Sequence, residues 1–210
     1  MRNHPKLGRP KNPEKRHAIL QAAAELFPVK GFTGVSMMEI AEKANVSKLT
    51  LYSHFTDKDD LFAQSVIDCC EQQLPTSSFK LAPGLSMEQA LSAIGTGLLD
   101  LIMDEKSITL HRMIINQTGI DTEHAELFFK AGPERMLSEM QALLSQADKN
   151  GSLRIEQPKL AAEHFFCLLK GLSHMRVLMG LSKPPGKVAR DRHISDVVNL
   201  FLRAYSARPV

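Results

Sequence analysis

Apolar residues recur at helical spacing along almost the whole chain, and the strict alternation of a half-buried strand appears nowhere at useful length. That feature restricts the chain to all-α architectures. From Pro13 to Phe27, residues Ile19, Ala22, Ala23, Leu26 and Phe27 line one face, and Pro28 and Gly31 are predicted to end the helix. Ser36 followed by Glu39 has the spacing of a capping box, so a second helix opens there, with Ile40, Ala41 and Ala44 inward. A third begins near Ser47 and runs to about His54. Asp57 caps a fourth, about 57–74, with Asp59 and Asp60 where the helix dipole favours negative charge. Pro75 to Gly84 reads as a loop and as the domain boundary. Beyond it, helices are predicted at about 86–103, 106–118, 122–131, 133–149, 158–180 and 189–206, punctuated by Gly132–Pro133, Gly151 and Pro158.

A chain of 210 residues can bury roughly 70% of its unfolded surface and needs no covalent staple. Its three cysteines (Cys69, Cys70, Cys167) are odd in number and form no CxxC, which argues against a disulfide framework or a zinc ribbon. No cation cluster adjoins Cys69 and Cys70, so they read as buried structural thiols. Asp100 and Asp104 interrupt the richest apolar stretch, and the basic first 20 residues lack an apolar core for a secretory signal. The expectation is a reduced, cytoplasmic protein with no membrane partner, no metal and no cofactor. Enzymatic motifs are missing as well: there is no phosphate-binding glycine loop, no GxSxG and no HExxH.

Charge is unevenly placed. Residues 1–60 carry ten Lys/Arg against seven Asp/Glu, whereas residues 61–210 carry sixteen of each. Within residues 1–16, six cations (Arg2, Lys6, Arg9, Lys11, Lys15, Arg16) face Glu14 alone. Pro5, Gly8, Pro10 and Pro13 keep this arm from being regular helix. A basic arm ahead of a folded module suits a polyanion, where each neutralised phosphate releases counterions.

Beside the arm, residues 36–55 read SMMEIAEKANVSKLTLYSHF, two short helices joined by a tight turn. Ala41 is small where the helices must approach. Asn45 sits where the turn needs a positive φ, which Asn tolerates better than most residues. Val46 and Leu51 supply the apolar lock. The outer face of the third helix presents Ser47, Lys48, Thr50, Tyr52, Ser53 and His54, groups able to reach phosphates and base edges in a major groove.

The stretch ILQAAAELFPVKGFTGVSMMEIAEKANVSKLTLYSHFTDKDDLF, from Ile19 to Phe62, resembles the DNA-binding domain of the TetR family of transcriptional regulators. The AAAELF helix, the KGF turn, IAEKANVS, LYSHF and DKDDL agree in order and spacing. Asn45 and Leu49 stand where that family often has glycine, and Pro28 interrupts the first helix. The resemblance implies an N-terminal helix-turn-helix domain (17–62), preceded by the basic arm (1–16), and a larger helical ligand-binding and dimerisation domain (75–210). It implies DNA contacts from Ser36, Ser47, Lys48, Thr50, Tyr52 and His54, a backbone clamp from Lys58, and Arg9 and Lys11 in the minor groove. It also implies a homodimer on a pseudo-palindromic operator and a small-molecule effector, with repression as the usual outcome.

Beyond residue 75 the likeness is to the C-terminal domain of drug-efflux repressors, the AefR-like or AcrR-like type. Residues 158–180 are apolar on more than one face, so that helix is expected to meet its own core and something else. Phe166, Gly171, His174, Val177 and Leu178, with Val197, Leu200, Phe201 and Ala204 of the last helix, are assigned to a two-fold interface. An apolar pocket is expected among helices 86–180, with Met103, His111, Ile114, Phe128, Met136, Met140 and Phe165 as lining candidates. Methionine and phenylalanine at helical spacing also suit plain core, and His111 a satisfied core histidine. The alternative reading is a helical scaffold that acts through protein contacts.

Overall fold

The computed structural model describes residues 12–117 and 122–206. Ten α-helices account for most of them: α1 (Pro13–Gly34), α2 (Met37–Lys43), α3 (Lys48–His54), α4 (Lys58–Gln73), α5 (Met87–Met103), α6 (Glu105–Gln117), α7 (Glu123–Phe129), α8 (Arg135–Lys149), α9 (Pro158–Leu178) and α10 (Lys187–Tyr205). No strand occurs among the described residues; a single antiparallel bridge joins Leu153 to Ser206.

Helix starts follow local chemistry. Asn12 caps α1, its Oδ1 accepting from the Glu14 N–H at 2.9 Å, with Pro13 in the first turn. Asp57 caps α4 by accepting from the Asp60 N–H at 2.8 Å. A full capping box opens α5, with Ser86 and Gln89 each accepting the other's backbone N–H. At the end of α1 the structure departs from the expected stop. Pro28 is buried inside the helix, and the break comes at Gly31, whose φ of 74° suits a residue without Cβ. The delay lets Phe27 and Phe32 stack at 5.7 Å and both meet Phe62 of α4 edge-on, at 5.0 and 5.5 Å. That aromatic triad fastens α1 to α4.

Gly132–Pro133 does not separate two helices either. The chain runs from α7 through a π-helical turn (Lys130–Glu134) into α8. A π-turn needs no i→i−4 bond at the proline, which is why Pro133 fits. A Cβ on Gly132 would lie 3.2 Å from Val66, so the bulge seats closely on α4. The loop after α4 contains a 3₁₀ turn (Thr76–Phe79) with Phe79 buried. Glu71 pins this turn. It accepts from the Thr76 hydroxyl and pairs with Arg135 of α8, and these contacts, the hydroxyl first, hold its carboxyl below the usual range.

Helix α5 is the central strut, packed against α4, α6, α9 and α10. It passes close to the end of α4 because residue 97 is glycine: a Cβ there would stand 2.7 Å from the Gln73 carbonyl oxygen. Asp100 of α5 pairs with Arg190 of α10. Helix α9 kinks at Gly171 (φ 50°), and a ring nitrogen of His193 on α10 lies 2.9 Å from the Leu169 carbonyl oxygen beside the kink. No described helix is long and apolar enough to cross a membrane.

Candidate nucleic-acid interface and effector cavity

Helices α2 and α3 form a closed unit on α1. Asn45 has a φ of 52°, the one non-glycine positive φ among the described residues. The turn it makes lets the Val46 N–H donate to the Ala41 carbonyl at 2.9 Å. Ile40, Ala41 and Leu51 are buried beneath. Replacing Asn45 by valine is expected to cost about 1–2 kcal/mol, since a β-branched residue is strained in this region, whereas glycine is at least neutral. Urea midpoints of the two variants check this.

Both helices begin on a serine. Ser36 Oγ accepts from the Glu39 N–H and Ser47 Oγ from the Thr50 N–H, each at 3.1 Å. Only half of the predicted capping box forms at α2, because the Glu39 carboxylate pairs instead with Lys30 of α1. Lys43 of α2 is likewise tied to Glu25 of α1, at 2.9 Å. The cations left outward on α2–α3 are therefore few. Lys48 has no carboxylate partner among the described residues, and its ammonium lies 5.9 Å from the centre of the Tyr52 ring. Lys48, Leu49, Tyr52 and Ser53 form an exposed row, with Thr50 and His54 half-buried at its margin. Leu49 is 82% exposed, an apolar group of the kind that can touch a thymine methyl.

Lys58 requires a correction. Its ammonium donates to the Phe32 and Val35 carbonyls at 2.9 and 3.0 Å and rests 4.4 Å from the Phe32 ring centre. The break at Gly31 leaves those carbonyls at a helix end, where a cation is favoured. In the protomer, Lys58 thus braces α1 against α4, where the sequence resemblance implies a side chain free for a DNA backbone. Arg16, at the root of the basic arm, is similarly engaged with Gln64 at 2.8 Å and with the Phe55 ring. Arg9 and Lys11 lie outside the described residues.

In the C-terminal part, an apolar cavity opens between α4, α5, α6, the π-turn and α9. Of the seven predicted lining residues, the structure brings His111, Phe128 and Met136 together there. Met103 faces a neighbouring cleft between α5, α9 and α10, and Ile114, Met140 and Phe165 are plain core. Reading one helix at a time missed the α4 wall (Val66, Cys69, Cys70) and the α5 wall (Leu98, Leu101, Ile102). Phe166, assigned to the dimer interface, lines this cavity instead. Burial pushes the Cys70 thiol up to about 12 and raises that of Cys69, so neither is a thiolate at neutral pH. Free space in the cavity is about 80 Å³, below the several hundred Å³ of an ordinary ligand site, so an occupant has to spread its walls.

Residues 19–64 match the family model of bacterial regulatory proteins of the tetR family, and residues 89–207 match that of the AefR-like transcriptional repressor C-terminal domain. The chain belongs to the TetR family of transcriptional regulators. It is similar to a TetR-family regulator from Mesorhizobium loti MAFF303099, with a TM-score of 0.76 and 32% identity over 93% of this chain and 99% of that one. It is similar also to the flavonoid-responsive regulator FrrA, with a TM-score of 0.71 and 31% identity over 94% of this chain and all of that one. The transcriptional regulator HbdR of Aromatoleum sp. (strain CIB) is 38% identical over 65 residues, which is 30% of this chain and 28% of HbdR.

TetR-family regulators bind DNA, and the α2–α3 pair lies within the stretch matched to that family's model. The interface expected for a second subunit needs revision. Phe166, His174, Val177, Val197 and Phe201 are buried within the protomer, and Leu178 is half-buried. Gly171, Leu200 and Ala204 are exposed. The outward apolar row on α9 is a different one: Leu168, Leu172, Met175 and Met179, at spacings of four, three and four. Leu168 precedes the kink at Gly171, while Leu172, Met175 and the C-cap Met179 follow it at helical spacing and form an outward apolar strip. Inside and outside were exchanged because α9 buries a broad face against α5, α8 and α10.

His174 sits beneath the cavity wall on α9. Burial pushes its pKa down to about 4, with His111 and Lys170 adding like charge. Its Nε2 has no hydrogen-bond partner among the described residues. The unfolded chain takes up this proton near pH 6.5 and the folded chain only near 4, so stability is lost as pH falls between those values. The expected loss is on the order of 3 kcal/mol. Urea midpoints from pH 7 to 4 measure it, and His174→Asn is expected to flatten the slope.

Proposed function

We propose that the protein is a homodimeric repressor that reads a two-fold symmetric DNA operator through α2–α3 and releases it when a small amphipathic effector enters the α4–α9 cavity. The observation that carries this reading is the outward row on α3, where Lys48, Leu49, Tyr52 and Ser53 stand exposed on a helix locked from below by Leu51 and the Asn45 turn. Ser36 and Ser47 add hydroxyls and helix N-termini for phosphates on either side. Thr50, His54 and the arm residues Arg9 and Lys11 complete the proposed DNA set. The AefR-like C-terminal match and the flavonoid-responsive FrrA support an effector-controlled repressor.

The apolar row of α9, with Leu200 of α10, pairs two copies about a two-fold axis. Recognition helices then meet successive major grooves about 34–36 Å apart. The effector acts by preferring a protomer shape whose helix spacing no longer fits, since only differential affinity moves such an equilibrium. Helix α6 supplies a connection: His111 faces the cavity, while Lys106 lies 3.7 Å from Glu25 of α1, which holds Lys43 of α2.

Selection of bound sequences from random double-stranded DNA tests the reading. A motif of two inverted half-sites with centres about one helical turn apart is expected. Recovery of no motif, or of one with no symmetry, would overturn it.

A further inference from the structure

The cavity is apolar, yet its charge is one-sided. Among its lining residues are two ionisable nitrogen-bearing side chains, His111 and Lys170, and no Asp or Glu. Lys170 is solvent-exposed while lining the cavity, so it stands at the mouth, one helical turn beyond Phe166 on α9. It has no hydrogen-bond or ion-pair partner among the described residues. Lys48 and Lys159 are likewise exposed, so what distinguishes Lys170 is its place on the rim of an apolar cavity.

We infer that the effector is an amphipathic acid, an aromatic or aliphatic ring or chain bearing one anionic group, whose anion is held by Lys170 at the mouth while its apolar body fills the space between Phe128, Met136, Leu101 and Phe166. The inference rests on the effector-controlled reading given above. A cationic amphipath finds no carboxylate in this cavity and meets Lys170, an arrangement that rejects it. A neutral molecule uses the apolar walls but leaves the ammonium without a partner, so it gains nothing from Lys170. His111 is compatible with the preference. Its Nδ1 lies 2.7 Å from the Ser107 carbonyl oxygen and its ring is edge-on to Phe128 at 5.1 Å, so it is fixed in place, and burial keeps the ring neutral at pH 7, offering a polar edge with no negative charge. His174, whose ring centre is 5.9 Å from that of His111, is neutral as well, so the cavity's positive charge is that of Lys170.

Three compounds on one ring system test this: 2-naphthoate, 2-naphthamide and 2-(aminomethyl)naphthalene, titrated calorimetrically into the full chain. The naphthoate is expected to bind at least about tenfold more tightly than the amide, the size of a charge-assisted contact, and the ammonium compound most weakly. Lys170→Met is expected to bring naphthoate down to the level of the amide without changing amide binding. Lys159→Met, an exposed lysine near the start of the same helix, leaves the order intact. Equal affinity for naphthoate and amide, no effect of Lys170→Met, or no binding of any of the three would overturn the inference. DNA affinity of the same preparations, measured without any compound, reports separately on the regulatory reading.

Discussion

Replacing Leu172 by glutamate is expected to convert the proposed dimer to a monomer and to weaken operator binding by at least a hundredfold. Leu172 is 76% exposed in the protomer, so the substitution leaves the fold of each chain intact. In the proposed two-fold seam it faces its own counterpart region, and two carboxylates then have to leave water together without partners. Loss of pairing matters for DNA because a second half-site is bound at the effective concentration set by the first. Linked binding of this kind is worth about 10²–10⁴ in affinity. Sedimentation velocity and DNA titration of the same sample measure both effects. A dimer of unchanged DNA affinity would remove the α9 row from the interface.

The second large effect belongs to Lys48. Its alanine variant is expected to lose about a hundredfold in operator affinity, because a dimer presents the residue twice and each charge-assisted contact contributes about 1.5 kcal/mol. The slope of log affinity against log salt should flatten by nearly 2, about 0.9 for each phosphate contact removed. Thermal stability should not move, since Lys48 is exposed and makes only the contact with the Tyr52 ring. Tyr52→Phe, which keeps that ring and removes the hydroxyl, is expected to weaken binding less. Two-fold or smaller loss for Lys48→Ala would place the DNA contact elsewhere.

What could be read from the sequence was the part fixed by neighbours in the chain. Ser36, Ser47 and Asp57 cap helices because a side-chain oxygen two or three residues ahead of a free N–H needs nothing distant to reach it. Asn45 was legible for the same reason: its φ is demanded by the turn itself. The partners of Lys58, the Phe32 and Val35 carbonyls, were not legible because they come from the short turn that follows the break at Gly31. The cavity walls were hidden by distance. Val66 and Phe166 share a cavity while standing a hundred residues apart, and no periodicity within α4 or α9 pairs them. On α9 the pattern revealed two apolar faces but not which one the protomer keeps, since that is decided by α5 and α10 packing against it.

One titration bears most directly on DNA reading by this protein: fluorescence anisotropy of the full chain on the DNA upstream of its own gene and on a scrambled version, across a salt series. Tight binding to the first and weak binding to the second are expected, with log affinity falling by about 0.9 per phosphate contact with log salt. Equal and weak binding to both, together with no motif from random-sequence selection, would contradict DNA reading by this chain.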